Sequence, residues 1–292
     1  MDIILEKDGL RLVLIPVLGG SVRSFSWNGQ DILFPAAKTP SSPLETAAFP
    51  LFPFSGRINE GRFTWNGRAV SLIPNFPPET HAIHGQAWRA PWQVEAVSGH
   101  TARLTYTHRP DSWPWAYRAV QEFTLSDTGL TLRLELRNLS EEDMPAGLGW
   151  HPYFPRGDAH LSANVSGIWV SDAGMIPDRV ASLGPGTDLR TSVRVDTLHL
   201  DNAFVAQPAD ASIVWPGASR TAAIRSSGAL AHLVVYVPEG QDFFCVEPVS
   251  HAPDAVNSEH GWAKTGLHSL PPGETLTAII DLTVRQSAAL AG

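Results

Sequence analysis

Five residues in this sequence have types and settings suited to moving protons and holding hydroxyl groups. His151 stands in AGLGWHPYFP (146–155), among Trp150, Pro152, Tyr153 and Phe154, with no charged neighbour in the stretch. An imidazole gives and regains a proton near neutrality, its reference pKa being about 6.5. Read alone, this one fits a packed core residue as well as a catalyst. Glu247 stands in FFCVEPVSHAPDAVN (243–257), at the end of an apolar run. At a period of two it shares a face with Phe243 and Cys245, and Phe244, Val246 and Pro248 take the other. A carboxylate on such a face is costly to bury, and desolvation raises its pKa in the direction a general base needs. Otherwise it is an exposed glutamate at a strand end.

Arg57, in FPFSGRINEGRF, carries a planar fork of donors. It either pairs with Glu60 at the surface or binds ligand hydroxyls. THAIHG supplies His81 and His84. An H-x-x-H pair holds a metal on a helix, but Pro77, Pro78 and Gly85 oppose one here, and on a strand the two rings face opposite ways. A neutral, hydrogen-bonding histidine beside a polar ligand fits better, with His84 favoured by its adjacent glycine. Asp201, in HLDNAFV, is a further acceptor, although Asp-Asn is also an ordinary turn signal.

Other chemistries lack their signatures. G-x-S-x-G is missing, as are G-x-G-x-x-G and the Walker pattern. A net charge of -8 disfavours nucleic acid and anionic membranes as partners. Cys245 is the single cysteine, which rules out an intrachain disulfide and reads as a small buried hydrophobe. The start, MDIILEKDGL, is acidic where a secretory leader is basic, and no apolar run reaches membrane-spanning length. The expectation is a cytoplasmic protein.

The elements that must position these residues are strands. GLTLRLELRNL sets Leu130, Leu132, Leu134 and Leu136 on one face. AVQEFTLS precedes it across a turn at 127–129, and ETLTAIIDLTVR alternates in the same way. GRFTWNGRAVSL is a hairpin around Asn66-Gly67. Clean helical stripes are missing, so the fold class is all-β, an antiparallel sandwich or barrel, in a single domain over residues 1–292. Residues 73–92 and 154–165 read as loops suited to carrying a site.

Taken in order, SGRINEGRF, HAIHG, GWHPYF, LDNAF and EPVSHAPDAVN resemble the aldose 1-epimerase (galactose mutarotase) family. The resemblance implies a large antiparallel β-sandwich of the galactose mutarotase type, with a monosaccharide in an open cleft and no cofactor or metal. It places the catalytic acid on His151 and the catalytic base on Glu247, with Arg57, His84 and Asp201 binding the sugar. Trp150 and Phe204 are candidates to stack on the sugar ring. The chain departs from the family's pattern at His84-Gly85-Gln86, where His-Gly-Gly is usual. It departs again at Glu247-Pro248-Val249, where the galactose enzymes more often read Glu-x-Gln. A sister group acting on hexose 6-phosphates clusters arginines after its His-Gly, where this chain keeps Arg89. The reading is a mutarotase for a free aldose, as a monomer or homodimer. The alternatives are a hexose-6-phosphate 1-epimerase and a non-catalytic sugar-binding protein on the same fold.

Overall fold

Alternation at period two gives each strand two unlike faces, and in this chain two large antiparallel sheets form from such strands. The computed structural model describes residues 1–172 and 174–286. The larger sheet has eleven strands. Its central run, in spatial order, is Ala48–Leu51, Gly149–Pro155, Phe243–Val249, His232–Tyr236 and Asp201–Val205. The second sheet has nine strands. At its centre lie Tyr117–Leu125, Gly129–Asn138 and Thr275–Gln286. Leu125 pairs with Leu130 across the turn at 126–128, as the leucine alternation predicts. The hairpin around Asn66-Gly67 also forms, with both turn residues at positive φ. The described residues contain one four-residue α-helix, Trp262–Thr265.

The inner faces of the two sheets share one core. Leu130, Leu132, Leu134 and Leu136 meet Trp150, Phe154, Phe204, Leu233, Val235, Phe244 and Val246 there. That makes the molecule a β-sandwich. The outer face of the larger sheet is covered as well: Leu44, Ile83 and Trp88 pack there with Phe49, Leu51, Tyr153, Cys245 and Val249. The strands holding His151 and Glu247 are therefore buried on both faces. This is why their sequences read as unbroken apolar runs, when a half-exposed strand would alternate.

The stretch 154–165, expected as a loop bearing part of a site, departs from that expectation. It holds the strand His160–Ala163, paired into the second sheet through Ala211–Trp215. Its Leu161 faces the core, and period-two burial explains the element.

Candidate active site

On its covered outer face, the larger sheet carries two adjacent cross-strand rows. The pairings Gly149 to Val249 and Tyr153 to Cys245 put His151 opposite Glu247. His151 also pairs with Phe49, and Glu247 with Val234. The next row on the same face runs Tyr153, Cys245, Tyr236, Asp201. Backbone register alone thus brings together three residues that are widely separated in the chain. They open into a cleft of about 320 Å³, whose lining also includes Arg57 and His84. That volume is at the small end of the range for small-molecule sites, about 300–1,000 Å³.

His151 Nε2 lies 3.3 Å from Glu247 Oε1, and both side chains are almost wholly buried. The His151 ring packs on Phe49 at 4.6 Å and on Tyr153 at 4.9 Å. Its Nδ1 is buried without a partner. An imidazolium would put an unsatisfied N–H there, and burial lowers the ring's pKa to about 3. Burial, reinforced by the Asp201 charge, pushes Glu247 well above the usual carboxylate range, while Arg57 pulls it back. Both shifts point the same way, to an uncharged pair holding one exchangeable proton.

The recognition groups come from outside the central strands. Arg57 and Ala82–Ile83 form a short two-stranded ladder, Arg57 opposite Ile83. Gly56 N–H donates to His84 Nδ1 over 3.1 Å, so the His84 proton sits on Nε2 as a donor. Burial holds this ring neutral, well below its ordinary pKa. His84 is left-handed at φ 60 and Gly85 follows at φ 71. A Cβ on Gly85 would stand 2.0 Å from the Phe52 carbonyl oxygen, so only glycine admits this approach.

Arg57 Nε donates to Glu79 at 3.2 Å, and Glu60 instead faces Arg62. Occupying the Nε edge leaves the terminal nitrogens of Arg57 for a ligand. Asp201 is partly buried, which raises its pKa, with Arg57 opposing.

A sequence model of the aldose 1-epimerase family matches residues 1–283. The chain belongs to the aldose 1-epimerase family. It is 30% identical to the uncharacterized Escherichia coli (strain K12) protein YphB, over 91% of this chain and 93% of that one. A crystal structure from Escherichia coli K12, provisionally assigned as an aldose 1-epimerase, superposes with a TM-score of 0.89 at 29% identity. It covers 98% of this chain and 99% of that chain. An aldose epimerase homologue from C. elegans matches in fold, with a TM-score of 0.85 at 17% identity over 99% of each chain. The sandwich is thus of the galactose mutarotase type.

All five residues that the family resemblance singles out line this cleft. Trp150 and Phe204 do not. Both are fully buried in the inter-sheet core, because each sits an odd number of positions from its cleft neighbour and so faces the other way. The aromatic lining is Phe76, Tyr153, Tyr236 and Phe243. Tyr153 was within reach of the sequence, two places after His151 and on its face. Glu79 was not, since it lies in an aperiodic loop. His81 turns away from His84 to accept from Glu60 N–H, at 2.9 Å.

Proposed function

We propose that this aldose 1-epimerase family member is a working mutarotase. It interconverts the α and β anomers of a free, unphosphorylated aldose. The observation that carries this reading is the 3.3 Å contact between His151 and Glu247 in the floor of a cleft that also holds Arg57, His84 and Asp201. The anomeric and ring oxygens of an aldose share one carbon, so an acid and a base set close together can each come within hydrogen-bond reach of its own oxygen.

Ring opening uses Glu247 as base on the C1 hydroxyl and His151 as acid on the ring oxygen. At the open-chain aldehyde Glu247 then carries a proton and His151 is neutral. This is the uncharged state that burial favours in the free protein. The buried pair thereby stabilises the stage at which C1 can rotate, and closure on the other face reverses both transfers. With the pyranose bound, the reactive arrangement has the pair's proton on His151 and Glu247 ionised. His84 and Arg57 donate to sugar hydroxyls and Asp201 accepts. A site built only to bind sugar has no need for both members of the pair.

The cleft's charges support a free sugar. Among the described residues lining it, Arg57 is the one cation, and it is already paired with Glu79. A phosphate dianion would meet Asp201 and Glu247 with too few donors. Arg89 is no substitute: its guanidinium lies over Trp88 and bonds the Asn75 carbonyl, outside the cleft lining. We also place the protein in the cytoplasm, as one domain, a monomer or homodimer.

The test is anomer exchange, followed by polarimetry or NMR on freshly dissolved α-glucose, α-galactose and glucose 6-phosphate. The expected result is acceleration for a free aldose and none for the phosphate ester. No acceleration for any aldose would sink the reading.

A further inference from the structure

The acid–base cycle makes no use of Cys245, although its thiol lies beside both catalytic groups. Cys245 Sγ, a ring nitrogen of His151 and a carboxylate oxygen of Glu247 all lie within 4.8 Å of one another, and His151 Nε2 stands 3.3 Å from Glu247 Oε1. We propose that these three side chains form a binding site for a soft divalent cation such as Zn²⁺, and that the cation reversibly inhibits the enzyme. The inhibitory part rests on the mutarotase reading, and the binding part stands without it.

The strand pleat builds the site. Cys245 precedes Glu247 by two residues, on the same face, and pairs with Tyr153 in the row next to His151. Tetrahedral zinc, with bonds of about 2.0–2.3 Å, separates its ligand atoms by roughly 3.3–3.7 Å. The His151–Glu247 contact is already at that spacing, at 3.3 Å. The sulfur needs to close by no more than about 1.5 Å, within reach of side-chain rotation. Zinc with one thiolate, one carboxylate and a neutral imidazole carries no net charge, which suits groups withdrawn from water. The thiolate favours Zn²⁺ or Co²⁺ over Mg²⁺ and Ca²⁺. Three protein ligands leave the fourth position open to the cleft. A cation held there occupies the nitrogen and the carboxylate that move protons, so turnover stops until it leaves. It is an inhibitor, distinct from a resident cofactor.

Co²⁺ is the probe, added to untagged protein in a reductant that does not bind metal. The expected spectrum has visible bands of tetrahedral Co²⁺ and a near-ultraviolet thiolate-to-cobalt charge-transfer band. Cys245 is the single cysteine, so that band reports this residue. Cys245→Ser should remove the near-ultraviolet band and raise the Zn²⁺ concentration for half-inhibition by at least ~10-fold. The half-inhibition concentration of each protein is read against its own metal-free rate. Glu247→Gln should weaken Co²⁺ binding by a similar factor, read from the visible bands. Mg²⁺ should neither bind nor inhibit. Absence of the charge-transfer band in wild type overturns the site, as does equal zinc potency in wild type and Cys245→Ser. If Cys245→Ser does not fold, the wild-type spectrum decides alone. If wild type turns over no aldose, the mutarotase reading fails and the cobalt spectrum still decides the site.

Discussion

At the scale of single residues, the pair His151–Glu247 sets the expectations. Glu247→Gln and His151→Asn should each lower turnover by at least ~10²-fold with the fold intact, measured by anomer exchange alongside circular dichroism. The working form carries one proton on the pair. On the acid side it is lost when His151 takes a second proton, near pH 3. On the alkaline side it is lost when Glu247 ionises, above the usual carboxylate range because burial raises it. The kcat/KM profile of the enzyme should therefore show no histidine break at pH 6.5: its acid limb falls near pH 3 with His151, and its alkaline limb belongs to Glu247. A break at 6.5 that vanishes in His151→Asn would show a solvated ring. Glu79 acts one step out, holding the Nε edge of Arg57. Glu79→Gln should raise KM by about tenfold with kcat little changed, since it loosens a charge-assisted hydrogen bond on a binding group.

At the scale of elements, the site is a join between segments far apart in the chain. Ser55 N–H donates to His251 Nε2, Asp254 N–H donates to the Arg57 carbonyl, and Asn59 N–H donates to Asp254 Oδ1. The stretches SGRIN and SHAPD are thus stitched together, and Arg57 is aimed by residues just beyond Glu247. Asp254→Ala should cost about 1–3 kcal/mol in denaturant unfolding and raise KM more than it lowers kcat, because it removes the acceptor shared by Asn59 N–H and the Asn257 side-chain amide. Strand identity was legible in the sequence wherever one face stays exposed, as in 129–138. Of the doubly buried strands, 243–249 was legible as a strand from its apolar run, whereas 149–155 was legible only through its motif, because burial on both faces erases alternation. The same period, applied to AGLGWHPYFP with His151 in the cleft, turns Trp150 into the core and Tyr153 into the cleft, against the expectation that Trp150 stacks on the sugar. Glu79 and Phe76 were beyond reach, since their loop has neither period nor a turn signal that fixes where a side chain points.

At the scale of the whole molecule, the two sheets divide the labour. The second sheet meets the first across the core and contributes no residue to the cleft lining. Leu132→Ala should therefore destabilise the protein by about 2–5 kcal/mol, through the cavity it leaves at a fully buried position. Its kcat and KM below the melting transition should match wild type. A changed KM would mean that core packing reaches the cleft through the shared strands.

The two-row floor of the cleft also limits how such a protein can change by descent. In a strand buried on both faces, losing one codon within 243–249 would swing Glu247 into the core and expose its neighbour in its place. These strands can be rewritten letter by letter but not lengthened or shortened. The loops that bring Phe76 and Met175 to the rim have no such register to keep. New sugar preferences can therefore arise there by insertion and deletion, over a reaction centre that strand register itself protects.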